Sequence, residues 1–183
     1  MSEATFRQQI AALTAQLAGR ALDDSLDAWL NREHGAGSAS FEALRTACRE
    51  GVAEGWLCNR EAGGIKYGRI FKPAPDLHGF SVDVVDMAPP RWATPSKGQP
   101  PRGADDGTPS AGGEQDYVAG PHHGHPNGEI DLIMPMDGDD ARFDGRSAGW
   151  CVYGPGTAHR PTVTQGRALV LYLLPEGRIE FTR

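Results

Sequence analysis

The chain has 183 residues, enough for one ordinary domain with a small appendage. Its 24 glycines and 14 prolines are about a fifth of all residues, against roughly 12% in average usage, which excludes a long-helix bundle and fits short strands joined by turns, or a fold carrying a flexible tract. Hydrophobic residues, at 39%, are too many for global disorder, and a formal net charge of −6 disfavours duplex nucleic acid as a partner.

No apolar run approaches the roughly 18 residues of a transmembrane helix, so no membrane partner is expected. The opening residues from Met1 to Phe6 lack the basic and apolar regions of a secretory signal. Cys48, Cys58 and Cys151 are odd in number and far apart, which suits free thiols in a reducing compartment. The expected location is therefore cytoplasmic.

Residues 1–55 read as a helical segment. Phe6, Ile10, Leu13 and Leu17 form one apolar stripe, ended by Gly19; Leu22, Leu26, Trp29 and Leu30 form a second, ended near Gly35 and Gly37. Ser40 is the expected N-cap of a third helix, with Glu42 in its first turn and Phe41, Leu44, Cys48 and Val52 as its stripe. Three helices this short need something to pack on, and residues 56–183 supply it as a β domain. Ile65, Tyr67 and Phe71 alternate with polar residues, as do Phe80, Val82 and Val84. Glu129–Met134, Gly149–Tyr153 and the continuous apolar run Ala168–Leu174 follow, separated by turn residues such as Asp144-Gly145 and Gly154-Pro155-Gly156. This spacing predicts a mainly β (α+β) protein with an antiparallel barrel or sandwich. Residues 88–116 read as a flexible Gly/Pro-rich insertion, either passive or a lid carrying Trp92.

Four of the six histidines lie close together in sequence: His122, His123, His125 and His159. On an extended segment His123 and His125 face the same side, and Glu129 shares their parity. With His159 from another strand or turn, three or four imidazole and carboxylate groups would surround an open position suited to Fe(II), Mn, Zn, Ni or Cu. Metal-free acid–base groups, or surface polar residues, are the alternatives. No G-x-G-x-x-G motif is present, so no nucleotide or flavin cofactor is expected.

The two segments resemble the paired motifs of the cupin superfamily, His-x-His with a following Glu, then Gly, five residues, Pro and a later His. Gly120 and Gly138 are displaced from their motif positions, and Gly156 follows Pro155 directly. The resemblance implies a jelly-roll barrel with His123, His125, Glu129 and His159 as metal ligands, and His122 as a substitute for one of the paired imidazoles. Over most of the chain, His125–Met134, Phe143-Asp144-Gly145, Gly149–Val163 and Ala168–Gly177 together resemble the 4-hydroxylaminobenzoate lyase family; residues 88–116 look like an insertion beyond its usual pattern.

That resemblance implies a carbon–nitrogen lyase of nitroaromatic degradation. It would convert 4-hydroxylaminobenzoate and water to 3,4-dihydroxybenzoate (protocatechuate) and ammonia, with Fe, Mn or Zn as the metal. The catalytic candidates are His122 as proton shuttle, Glu129 as general acid–base if it is not a ligand, and His159. Arg160, Lys66 and Arg69 are candidate anchors for the substrate carboxylate or else solvated charges. Tyr153, Trp150 and Tyr172 would stack on the ring or serve as core. Asp131 would support a ligand histidine or cap a turn. An Fe(II)-dependent cupin dioxygenase on a small aromatic, and a non-catalytic ligand-binding cupin, are the competing readings. Cupin-type barrels often pair, so a homodimer is the assembly expected by analogy.

Overall fold

The computed structural model describes residues 1–90, 116–136 and 140–182. The expected insertion at 88–116, its Trp92 and the turn around Gly138 therefore fall wholly or mostly outside the described residues.

Helix α1 spans Glu3–Leu17, α2 Asp24–His34 and α3 Ala39–Glu54. Phe6, Ile10, Leu13 and Leu17 are all buried, as their spacing requires. Asp23 caps α2 by accepting from the backbone N–H groups of Ser25 and Leu26. The cap of α3 is Ser38, which accepts from the Phe41 N–H; Ser40, the expected cap, lies inside the helix and hydrogen-bonds the His34 ring. Two serines two residues apart both offer a capping hydroxyl, and the chain reversal after Gly35 favours the earlier one.

Among the described residues twelve strands follow. Six form the main antiparallel sheet, ordered β1 (Arg60–Ala62), β2 (Ile65–Phe71), β3 (Phe80–Met87), β11 (Ala168–Pro175), β6 (Glu129–Pro135) and β8 (Gly149–Tyr153). Two three-stranded sheets complete the β domain: β4 (Tyr117–Ala119), β10 (Thr162–Thr164) and β7 (Arg142–Phe143), and then β12 (Glu180–Phe181), β5 (His123–His125) and β9 (Thr157–His159). One face of the main sheet packs on the helices through Val82, Val84, Leu132, Trp150 and Leu171. The other face carries Met87, Ile133, Val170 and Tyr172 toward Phe143 and Val163 of the small sheets.

Covering both faces explains why β11 is apolar throughout. It also explains an alternation that misleads. Ile65, Tyr67 and Phe71 share parity, yet a bulge between Arg69 and Phe71 turns Phe71 to the helix side, opposite Val82.

Helix α2 closes the free edge of β8. Asn31 donates to the Trp150 carbonyl at 3.0 Å and accepts from the Trp150 N–H at 2.8 Å, as a neighbouring strand would. Asp27 accepts from the Val152 N–H at 3.0 Å. Asn31→Ala leaves both Trp150 backbone groups unpaired, and urea unfolding should show a loss of about 2 kcal/mol. An unchanged midpoint would mean that water replaces Asn31 at no cost.

Candidate metal centre

The turn from β5 into β6 brings the first three site residues together. Its Gly128 has φ +86°, and a Cβ there would come within 2.7 Å of the Tyr153 carbonyl and of Leu22. The tight approach sets Glu129 as the first residue of β6, opposite Tyr153 in register. His123 pairs with His159 across β5 and β9. His123, His125 and Glu129 are buried, and His159 is nearly so.

The four side chains converge. One ligand atom from each lies within 4.8 Å of all the others. Glu129 Oε1 is 3.4 Å from the Nε2 atoms of both His125 and His159, and Oε2 is 3.7 Å from His123 Nε2.

Each imidazole has its outer nitrogen committed. His123 Nδ1 donates to the Pro121 carbonyl at 3.1 Å. His125 Nδ1 donates to the Thr157 hydroxyl at 3.1 Å; that hydroxyl gives its own hydrogen to the Gly154 carbonyl at 2.7 Å and so can only accept. His159 Nδ1 donates to Asp144 Oδ2 at 2.5 Å. The three Nε2 atoms therefore point inward, two of them only 3.1 Å apart. His125 Nε2 and both Glu129 oxygens are buried without a hydrogen-bond partner. Orphaned buried acceptors facing one another repel, and a cation between them resolves the conflict. Three nitrogens and one carboxylate are a donor set for a divalent transition ion.

The electrostatics agree. Burial pushes His125 down to about 4, so its ring is neutral at pH 7. Burial also disfavours the charged forms of Glu129 and His159. The histidine rings nonetheless hold Glu129 well below the usual carboxylate range. Asp144 and Glu129 raise His159 to about 9, so without a metal its Nε2 carries a proton at pH 7 that a bound ion would displace. Asp131, fully buried one row behind Glu129, is pushed well up by burial and by Glu129.

A cavity of about 400 Å³ lies beside the cluster. His123 is the cluster residue that lines it; Tyr67, Asp83, Tyr172, Leu174 and Phe181 form much of the remaining wall.

The remaining candidates are dispersed. His122 bonds the Thr182 hydroxyl and belongs neither to the cluster nor to the cavity wall. Lys66 does not line the cavity. Arg69 bonds Asp83, and Arg160 bonds the Gly120 carbonyl, so each reaches the wall only through another residue. Tyr153 sits behind His159, ring centroids 4.4 Å apart, with its hydroxyl on Asp144. Trp150 is helix-side core, whereas Tyr172 faces the cavity. Sequence reasoning missed Asp144 and Thr157. Asp144 was legible only as half of a turn dipeptide, and no spacing rule links it to His159.

An antiparallel β fold in which a His-x-His strand, a Glu at the head of the strand that follows it in the chain and a histidine from a third strand converge defines a cupin-like fold with a candidate metal centre. The family model for 4-hydroxylaminobenzoate lyase matches residues 8–181, and the chain belongs to that lyase family. The 4-hydroxylaminobenzoate lyase of Pseudomonas putida is 30% identical over 173 residues, 91% of this chain and 88% of that protein. The enzyme of the same name from Nocardioides sp. (strain LMS-CY) is also 30% identical over 173 residues, 91% of this chain and 86% of that one. Among solved structures, an RmlC-like cupin from Ralstonia eutropha is 12% identical, with a TM-score of 0.37 over 67% of this chain and 62% of that one. Oxalate oxidase in complex with glycolate gives 14%, a TM-score of 0.38, and coverage of 67% and 57%.

Proposed function

We propose that this chain converts 4-hydroxylaminobenzoate and water to 3,4-dihydroxybenzoate and ammonia. The observation that carries the proposal is the opening of the His123, His125, Glu129 and His159 cluster, through His123, onto an apolar cavity of about 400 Å³. That volume suits one substituted benzene ring.

In the reaction water adds to the ring carbon beside the C–N bond. The N–O bond breaks, its oxygen taking the bonding pair and leaving as water, and a second water then hydrolyses the C–N bond to release ammonia, so that one water is consumed net. The N–O bond is the internal oxidant, so no redox cofactor is required. A divalent ion such as Fe, Mn or Zn, held by the four side chains, would supply Lewis acidity toward the departing oxygen. The protein's own part is positional. Leu174 and Tyr172 bound the ring, while Tyr67 and the 65% exposed Phe181 flank it as further wall. His123, the cluster residue on the wall, orients the hydroxylamino end toward the cluster. The wall shields that end from bulk water.

The test is anaerobic incubation of purified protein with 4-hydroxylaminobenzoate. Stoichiometric protocatechuate and ammonia without oxygen consumption are expected. Turnover that requires oxygen would establish the dioxygenase reading instead.

A further inference from the structure

We propose that Asp144 is a positioning residue for the metal centre, fixing His159 as a ligand through its Nδ1; this rests on the metal reading of the cluster. Asp144 lies just after β7 with φ +49°, a left-handed turn conformation that Asp tolerates. One carboxylate oxygen, Oδ1, accepts from the Thr162 N–H of β10 at 2.8 Å. The other oxygen is directed at the site. Oδ2 accepts from His159 Nδ1 at 2.5 Å and from the Tyr153 hydroxyl at 2.7 Å. Tyr153 also packs its ring against both His125 and His159. Asp144 thus ties together β7, β8, β9 and β10, and the tie ends on the one cluster histidine that is not deeply buried.

The three histidines are supported unequally. His123 has a backbone carbonyl and His125 a neutral hydroxyl, whereas His159 has a carboxylate. A carboxylate behind an imidazole fixes the ring's tautomer and direction and makes the inward nitrogen a stronger donor. His159 is the least buried of the three, with 11% of its side chain exposed against 4% for His123 and 0% for His125, so it is the ligand that most needs such fixing.

The test uses the full chain and Zn(II) alone as probe, with affinity read by competition against a chromophoric chelator. Asp144→Asn keeps the shape of the turn and removes the charge. It is expected to weaken Zn(II) binding about 10- to 100-fold, with the far-UV circular dichroism of the wild type. Tyr153→Phe removes one support of Asp144 and should weaken binding by a smaller factor. Nitrogen NMR of the zinc-loaded wild type should show His159 metallated at Nε2 and protonated at Nδ1. Zinc affinity within twofold of wild type in folded Asp144→Asn overturns the proposal. A wild type that binds no Zn(II) overturns the metal reading with it. Loss of zinc affinity in a protein that does not act on 4-hydroxylaminobenzoate upholds the role of Asp144 and removes only the substrate.

Discussion

His123→Ala and, separately, His159→Ala are each expected to lower ammonia release from 4-hydroxylaminobenzoate by more than about 100-fold, beyond the effect usual for residues that merely support a ligand. Both should leave the far-UV circular dichroism of the protein intact. The reason lies in the two-faced sheet. The helix-side core of Phe6, Ile10, Leu30, Leu132 and Trp150 lies on the opposite face of the main sheet from the cluster. Removing an imidazole also relieves the crowding of inward-pointing nitrogens around Glu129. Activity surviving in both variants would sink the assignment of the site.

Stripping the protein with a chelator should abolish activity, and restoring Fe(II), Mn(II) or Zn(II) one at a time should recover it with a single preferred ion. Loading should also raise stability, by about 2.7 kcal/mol when the free ion is at 100 times its dissociation constant. Stripped and loaded protein should respond differently to pH. In the stripped protein His159 titrates near 9, above its unfolded value of 6.5, because Asp144 and Glu129 outweigh the cost of its burial. A raised pKa gives stability that is complete below pH 6.5 and lost as pH rises through 9. Thermal melts of the stripped protein should therefore fall between those limits. In the loaded protein Nε2 is held by the ion, and the decline over that window should vanish. Full activity after exhaustive chelation would leave an acid–base site without metal.

The resemblance to the lyase family, read from the histidine segments and the apolar run 168–174, agrees with the family match. The helices and the long strands were equally legible, because each carries its own periodicity. Phe6, Ile10, Leu13 and Leu17 spell a helix face within one segment, and β11 spells a strand buried on both sides. Of the seven described strands of two or three residues, only His123–His125 reads from the sequence as extended. Strands so short carry no period of their own and exist only through pairing, as β5 does between β12 and β9. The bulge in β2 and the choice of Ser38 over Ser40 as cap were also settled outside the local pattern.

Within the site the same division holds. The parity of His123, His125 and Glu129 is a property of extended chain, so these three residues could be set on one side from sequence alone. The sequence likewise determined the chemical types in the cluster and, in Gly128 and its neighbours, the turn that brings them together. Only the tertiary structure decided that His159 stands across from His123, that Asp144 lies behind it, and that the cavity opens on His123. Those contacts join strands from β1 to β12, and each depends on pairings between residues distant in the chain. Lys66, Arg69 and Arg160 show the limit from the other side. A cation's type says that it can hold a carboxylate, but which way it faces follows from register and burial, and these three reach the cavity wall through other residues or not at all.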